Sequence, residues 1–262
     1  MQRAERQGSN REINGTAVHY NYHKGEGRQK PFAINSTLSY SSLGAFQRLM
    51  SGRMNQKEKP RTVYWLDNNL YLNITNRCSS NCDFCIRKFK NGVGGFRLKL
   101  AEEPSAAQVI AELKEVIHRR RWAELVFCGF GEPTAQLDSL LKVARWVRQH
   151  YGKPLPIRVN TNGHGYLLNR GRDVAKEMKA AGVDKVSVSL NAADEKTYNE
   201  VCKPEFDSAF QAVLEFIDKA KKELEVEVTA VTIPEVDLHK IEVIAEEFGV
   251  KFRLRQCIPC FW

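Results

Sequence analysis

The sequence predicts an α/β protein: a partial, TIM-like (β/α)6 barrel with parallel strands, preceded by a disordered N-terminal extension. From residue 61 onward, short apolar segments alternate with amphipathic ones, and βα units in tandem form a parallel sheet with right-handed crossovers. Residues 61–262 are too few for a full eight-stranded barrel, which takes about 250 residues. A doubly wound open sheet is the alternative, because strand order cannot be read from one sequence.

Six segments have the composition of buried strands. Each is a short, largely apolar or β-branched run bounded by polar or turn residues. The predicted strands cover residues 70–74, 124–128, 156–160, 185–190, 225–232 and 251–255.

Amphipathic helices fill the intervals between these strands. Apolar residues at helical spacing mark one helix from Val109 to Ile117 and another from Leu137 to Val147. Ser105 is suited to begin the first, and Gly182 and Gly249 follow the ends of later helices. The remaining predicted helices cover residues 173–181, 208–223 and 238–248.

The N-terminal extension, residues 1–60, differs from the rest of the chain in composition. It is rich in small and polar residues and has no sustained apolar period, so it is predicted to be mostly disordered. Met54 is a possible alternative start. The extension holds ten basic and four acidic residues, and the predicted domain, residues 61–262, holds thirty and twenty-seven. The domain is therefore only mildly basic.

The chain contains no run of about eighteen apolar residues, and its first thirty residues lack an apolar signal-peptide core. We therefore expect a cytoplasmic protein without a membrane span. Three of the seven cysteines fall within eight residues. This spacing favours metal binding or catalysis over a disulfide framework.

The three clustered cysteines, Cys78, Cys82 and Cys85, have C-x3-C-x2-C spacing and follow the first predicted strand. Active sites of barrel enzymes lie at this end of the strands. Cysteine thiolates are the ligands of iron–sulfur clusters, and three of them would leave one iron of a [4Fe-4S] cluster open. The alternative is a structural zinc site, which would need a later cysteine as its fourth ligand.

With Phe84 before the last cysteine and Thr75-Asn-Arg before the first, this loop resembles the signature of the radical S-adenosylmethionine (SAM) superfamily. The resemblance implies that the cysteines bind three irons of a [4Fe-4S] cluster and that SAM chelates the fourth. Reductive cleavage of SAM would then give methionine and a 5′-deoxyadenosyl radical. Phe84 would lie beside the adenine, and an electron donor such as flavodoxin or ferredoxin would be a partner.

A second motif follows the next strand, at residues 127–134. Glycine has no Cβ, so Gly129 and Gly131 permit close approach of the backbone to a ligand, and Glu132 can accept from an ammonium group. The segment resembles the Gly-Gly-Glu-Pro motif that binds the SAM amino group in the superfamily. It departs from that motif at Phe130, which replaces the first glycine.

Polar residues also end the third and fourth predicted strands. Asn162 lies in a Thr-Asn-Gly segment that Asn160 directly precedes, and Ser189 and Asn191 belong to a Ser-x-Asn segment. Both resemble superfamily motifs, which implies contacts with SAM or substrate; turn or helix-cap roles are the alternative. His164 could act as an acid or base at the barrel mouth, although a lone loop histidine is more often structural.

The run from Tyr71 to about Arg255 resembles the TatD family-associated radical SAM proteins, which implies a functional link to a TatD-type nuclease. The similar segments include Gly92-Val-Gly-Gly95 and Thr197–Pro204. The resemblance implies no substrate. Glycyl-radical activation and a 7-carboxy-7-deazaguanine synthase-like reaction are alternative activities. A metal-stapled nucleic-acid or partner-binding module is the non-enzyme alternative.

Two further cysteines, Cys257 and Cys260, follow the last predicted strand. In a parallel barrel they would emerge on the same face as the cysteine loop, where they could contact substrate or form a redox pair. The alternative is an exposed tail with two incidental thiols.

Overall fold

The computed structural model describes residues 59–152 and 154–257. The predictions of disorder and of an alternative start at Met54 fall outside these residues. The described strands are β1 (Val63–Leu66), β2 (Asn69–Leu72), β3 (Gly92–Val93), β4 (Phe96–Arg97), β5 (Glu124–Phe127), β6 (Ile157–Thr161), β7 (Lys185–Ser189), β8 (Glu225–Thr232) and β9 (Lys251–Gln256). The described α-helices are α1 (Ala106–Val116), α2 (Leu137–Tyr151), α3 (Gly165–Leu168), α4 (Val174–Ala180), α5 (Glu195–Cys202), α6 (Ala209–Ala220) and α7 (Leu238–Glu247).

Seven of these strands form one sheet in the order β1-β2-β5-β6-β7-β8-β9, and β3 pairs with β4 in a separate hairpin. β1 is antiparallel to β2, and each later pairing in the large sheet is parallel. The parallel strands therefore follow chain order, as in a barrel, whereas a doubly wound sheet reverses its order at a switch point. The predicted α/β fold with a mostly parallel sheet is confirmed. In the described part of the chain, β1 and β9 are the edges of an open sheet.

Each predicted strand is present, and its bounds differ from the prediction by at most two residues. The prediction missed β1, the β3–β4 hairpin, α3 and α5. β1 joins β2 through a tight turn in which Asp67 adopts a φ of +50°. α5 begins where the Asp194 side chain accepts a hydrogen bond from the Thr197 N–H. None of the helices in the described ranges is long and apolar enough to cross a membrane.

One face of the large sheet packs against the helices and forms the main hydrophobic core. Side chains alternate between the two faces of a strand, so every second residue reaches this core. The helices contribute their apolar stripes, such as Leu140, Ala144 and Val147 of α2. The strand residues in the core are Val63, Leu70, Leu72, Leu125, Phe127, Ile157, Val159, Val186, Val188, Val226, Val228 and Ala230.

The opposite face of the sheet is polar. The intervening residues include Glu124, Arg158, Lys185, Glu227 and Arg253, which line one cavity of about 360 Å³. All six parallel strands of the sheet, β2 and β5 to β9, contribute side chains to this one cavity. The sheet must therefore curve around it. Parallel sheets are usually apolar on both faces, and barrel interiors are usually filled by branched apolar side chains. The inside of this partial barrel is therefore a polar cavity rather than a second packed core.

Arg148, on α2, joins several chain segments at the outer side of the sheet. Its guanidinium donates to the carbonyl oxygens of Gly182 (2.7 Å), Gly152 (2.8 Å) and Leu155 (2.8 Å), and it pairs with Asp184. Only 14% of the side chain is exposed. One side chain thus satisfies carbonyl groups that would otherwise lack partners at the ends of two helices.

We expect Arg148→Ala to lower the free energy of unfolding by about 2–4 kcal/mol, because it leaves three carbonyl groups and a carboxylate without their charged donor. Urea denaturation measures the loss. Arg145→Ala, at an exposed position on the same helix, is the matched control and should change stability by less than about 0.5 kcal/mol. Equal effects of the two substitutions would contradict the role assigned to Arg148.

Candidate active site

The cysteine loop leaves the carboxyl end of β2 and is fixed by the end of α5. The Asn81 N–H donates to the Cys202 carbonyl oxygen (3.1 Å), and the Asp83 N–H donates to the Val201 carbonyl oxygen (3.0 Å). Lys203 ends α5 in the left-handed region, with a φ of +46°, and so turns the chain along the loop. Main-chain hydrogen bonds therefore hold the loop in place. Its partly exposed cysteines are Cys78, Cys82 and Cys85.

Cys202 is a further cysteine in contact with this loop, and the sequence analysis assigned it no role. A hydrogen bond joins its thiol to Cys82, which lowers the pKa of Cys82 and raises that of Cys202. Cys202 is buried at the end of α5. A metal site with four cysteine ligands at this loop would therefore need Cys202 as its fourth ligand. The only sequence signal was its place in the segment Thr197–Pro204.

The chemistry of these donors fits an iron–sulfur cluster, because cysteine thiolates are its usual ligands. Within the described ranges, no three His, Cys, Asp or Glu side chains converge as the ligands of one ion do. A zinc site needs four ligands at about 2.0–2.3 Å, whereas a [4Fe-4S] cluster takes its thiolates at separate irons. Burial raises the pKa of Cys78 to about 12, so this residue is a thiol until a metal displaces the proton.

Arg87 supports the loop from its other side. Its guanidinium donates to the carbonyl oxygens of Ser80 (2.9 Å), Asn76 (3.0 Å) and Phe130 (3.2 Å). It therefore links the loop to the segment that follows β5. Its positive charge also lies where thiolate ligands would add negative charge.

The two predicted glycines after β5 pack against the chain that leads into the cysteine loop. A Cβ on Gly129 would lie 2.0 Å from the Asn73 Oδ1, and a Cβ on Gly131 would lie 2.4 Å from the Arg77 carbonyl oxygen. The Asn73 Oδ1 also accepts from the Phe130 N–H (3.1 Å). The close approach is to the protein's own backbone and side chains, whereas the sequence suggested approach to a ligand.

Glu132 is buried, with 3% of its surface exposed. Its hydrogen bonds connect the segment that follows β5 to the end of β6. Its Oε1 accepts from the Thr134 N–H (3.0 Å) and from the hydroxyls of Thr134 (2.7 Å) and Thr161 (2.8 Å). Its Oε2 accepts from the Asn162 N–H (2.7 Å). Burial raises the pKa of this carboxyl, and the donors around it oppose that shift. Oε2 can accept one further donor.

The two asparagines predicted together point to different places. The Asn162 side-chain amide donates to the Ser79 hydroxyl (3.1 Å) and lies 3.8 Å from the Cys78 sulfur. Asn160 lies on the polar face of the sheet, where its Oδ1 accepts from Arg158 (2.5 Å). Asn162 thus contacts the cysteine loop, and Asn160 lines the cavity.

Ser189 and Asn191, at the end of β7, share one partner on β9. Arg255 donates to the Ser189 hydroxyl (3.0 Å) and to the Asn191 Oδ1 (3.5 Å). Asn191 has a φ of +58°, which asparagine tolerates better than most residues, and its amide lies 3.9 Å from the Cys202 sulfur. These contacts connect the cavity to the cysteine loop through Arg255, Asn191, Cys202 and Cys82.

His164 is buried between the cysteine loop and α5. Its Nδ1 forms a hydrogen bond with the Ser79 hydroxyl (2.8 Å), and its Nε2 forms one with the Tyr198 hydroxyl (2.9 Å). Burial lowers its pKa to about 4. Both ring nitrogens are engaged within the protein, which favours a positioning role over the acid or base role considered from the sequence.

Phe84 lines a cavity of about 400 Å³ beside the cysteine loop. Its aromatic and apolar walls come from Phe84, Phe89, Val201, Ile233 and Pro234, and its acidic lining residues are Asp83, Glu200 and Glu235. Aromatic and apolar walls of this kind suit a flat ring. A larger cavity of about 740 Å³ lies between α6 and the α3–α4 segment and shares no residue with the cysteine loop.

The C-terminal cysteine pair is only partly described. Cys257 is buried directly after β9, and its N–H donates to the Thr232 hydroxyl (3.3 Å). Cys260 lies outside the described residues. The predicted substrate or redox role of the pair stays a prediction.

Comparison with known proteins identifies a family and several partial relatives. The family profile described as "Radical SAM superfamily" matches residues 72–248. A probable GTP 3′,8-cyclase of Thermococcus kodakarensis is 28% identical over 156 residues, which is 60% of this chain and 44% of that protein. A dual-specificity RNA methyltransferase RlmN of Syntrophobacter fumaroxidans is 29% identical over 124 residues, 47% of this chain and 34% of that protein. The chain thus spans less than half the length of these two relatives.

Two solved structures share the fold at low sequence identity. SuiB of Streptococcus suis bound to S-adenosylmethionine has a TM-score of 0.55 and 13% identity, covering 85% of this chain and 48% of that one. TYW1 with a lysine-pyruvate adduct bound has a TM-score of 0.52 and 16% identity, covering 72% of this chain and 64% of that one.

The depressed pKa of His164 predicts a loss of stability in mild acid. An unfolded histidine has a pKa of 6.5, so the unfolded chain binds the proton first as the pH falls. The contribution of His164 to the free energy of unfolding is complete above about pH 6.5 and is lost progressively as the pH falls toward 4. At pH 5 the loss is about 2 kcal/mol. Urea denaturation at pH 7 and pH 5 should show this extra loss in the wild type and not in His164→Gln. The exposed His150→Gln should behave like the wild type, and an equal pH dependence of both variants would contradict the assignment.

Proposed function

Because this chain belongs to the radical SAM superfamily, whose members are enzymes that use SAM and a [4Fe-4S] cluster, we propose that it binds both itself. In this proposal Cys78, Cys82 and Cys85 hold three irons, and SAM occupies the fourth. When bound, the cluster supplies the electron that cleaves SAM to methionine and a 5′-deoxyadenosyl radical, which removes hydrogen from the substrate.

The observation that carries the proposal is the cysteine loop itself. Its three cysteines are partly exposed at the carboxyl end of β2, and main-chain hydrogen bonds to the end of α5 fix the loop. The Asn162 amide lies beside Cys78, and Arg87 places a positive charge next to the loop. A loop that is positioned before metal binding loses less conformational entropy when the cluster forms.

The surrounding residues provide suitable partners for the parts of SAM. The Glu132 Oε2 retains the capacity to accept from the SAM amino group, and the aromatic and apolar part of the cavity at Phe84 suits the adenine ring. Ser189 and Asn191 are the candidates for the ribose or amino acid part. Gly129 and Gly131 contribute indirectly, because they let the segment before Glu132 lie against the cysteine loop.

The reaction beyond SAM cleavage is part of the same proposal. We place the chain with the TatD family-associated radical SAM proteins on its sequence motifs, with flavodoxin or ferredoxin as electron donor and a functional link to a TatD-type nuclease. The cyclase and methyltransferase relatives carry out different reactions, and the chain covers less than half of either. Neither of their substrates is transferred to this protein, because one fold supports many reactions.

Removal of one predicted ligand tests the cluster. Anaerobically reconstituted full-length protein should hold about four irons and four sulfides per chain, with charge-transfer absorption, and Cys82→Ala should lose them. Cys202→Ala is the matched control because Cys202 contacts Cys82 but is not a proposed ligand. This variant should keep its iron and still form 5′-deoxyadenosine from SAM under reducing conditions.

Two outcomes would contradict the proposal. Loss of iron in Cys202→Ala as well would indicate four cysteine ligands and no open iron for SAM. One equivalent of zinc without charge-transfer absorption in the wild type would indicate a structural metal site.

Replacement of Glu132 by glutamine tests the SAM contact. Glu132→Gln should keep the cluster and raise the SAM dissociation constant about tenfold or more, because a charge-assisted hydrogen bond contributes about 1.5–3 kcal/mol. Equilibrium dialysis with labelled SAM measures the change, and Glu177→Gln on α4, paired with Arg172, controls for loss of a carboxylate elsewhere. An unchanged dissociation constant in Glu132→Gln would remove Glu132 from the SAM site.

A further inference from the structure

The cavity inside the partial barrel is lined almost entirely by polar and charged side chains. It has a volume of about 360 Å³, which lies within the range of small-molecule sites, near its lower limit. The proposed SAM contacts do not account for most of it. The lining residues are Asn69, Tyr71, Glu124, Arg158, Asn160, Lys185, Glu227, Arg253 and Arg255.

Positive charge exceeds negative charge in this lining. Both of its carboxylates are already paired: Glu124 with Arg158 at 2.9 Å and Glu227 with Arg253 at 2.9 Å. The remaining cations are Lys185 and Arg255. Lys185 lies 3.8 Å from Glu225, which has a closer partner at 2.8 Å in Lys251.

Arg255 has no acidic partner among the described residues. Its guanidinium donates to neutral oxygens of Ser189 and Asn191, and its Nε is buried without a hydrogen-bond partner in the described structure. Arg255 is half-buried, so its cation without a counter-charge is only partly stabilised by water, and its buried Nε without an acceptor adds to the cost. An oxyanion bound at Arg255 would supply both the missing charge and the missing acceptor.

We propose that the substrate of this enzyme is a small molecule carrying a carboxylate or phosphate group that Arg255 binds inside the barrel. The inference rests on the proposed function, because it assigns the second molecule of that reaction. The planar guanidinium favours two parallel hydrogen bonds to either kind of oxyanion. The contacts from Arg255 through Asn191 and Cys202 to Cys82 place this cavity beside the cysteine loop.

Simple probes test the proposed anion site on the reconstituted full-length protein. In ligand-observed NMR titrations, acetate and methyl phosphate should bind, whereas acetamide, the neutral counterpart of acetate, should not. The stronger of the two anions indicates which group the substrate carries. Arg255→Gln should weaken the binding of this anion about tenfold or more, and Arg255→Lys should weaken it less. The control is Arg170→Gln, at an exposed arginine that lines the cavity between α6 and the α3–α4 segment. It should leave the binding of the anion unchanged.

A competition experiment on the wild type separates the substrate from SAM as the source of the anion. With SAM at saturation, the anionic probe should still bind with an affinity within a factor of two of that without SAM. Displacement of the probe would mean that Arg255 binds the SAM carboxylate, and it would overturn the inference. Failure of both anions to bind better than acetamide would also overturn it. Formation of 5′-deoxyadenosine in the same preparation reports on the proposed function alone, so the two proposals can fail independently.

Discussion

The rest of the site depends on the main-chain hydrogen bonds between the cysteine loop and the end of α5. Cys82 and Phe84 pack against the main core, but most of the loop has no regular secondary structure, so its conformation also depends on partners for its backbone groups. α5 provides them at Val201 and Cys202, and the left-handed Lys203 keeps the chain alongside the loop. His164 then joins Ser79 to Tyr198 of α5. A loop held in this way can present three thiols without a bound metal to organise it.

The same sheet serves stability on one face and ligand binding on the other. Residues such as Leu125 and Val186 are buried against the helices, while their neighbours Glu124 and Lys185 line the cavity. The alternation of side chains along a strand separates these two roles for most residues, although the buried Val126 lies in register with Tyr71 and Arg158 of the cavity lining. The barrel therefore loses the apolar interior that usually stabilises such folds, and contacts on the outside, including those of Arg148, have to compensate.

Local patterns explain what the sequence could predict. Apolar periodicity located the parallel strands and the longer helices, and the cysteine spacing located the loop. β1 was missed because four residues before a tight turn carry too little pattern, and α5 was missed because it is short and half polar. Cys202 and Arg255 were not assigned to the site because their roles arise from contacts with residues distant along the chain. The sequence singled out Gly131 for close approach to a ligand, and in the structure its close neighbour is the protein backbone.

Net charge conceals the electrostatics that matter at this site. Residues 61–262 hold thirty basic and twenty-seven acidic residues, which suggests a nearly neutral domain. Yet two guanidinium groups near the cysteine loop, those of Arg87 and Arg255, contact only neutral oxygens among the described residues. Both therefore direct positive charge toward the thiols and the adjoining cavity, although at Cys78 the buried Glu132 carboxyl opposes the effect of Arg87. The charge of Arg87 partly offsets the burial and the Glu132 charge that raise the pKa of Cys78, and the charge of Arg255 favours an oxyanion in the cavity.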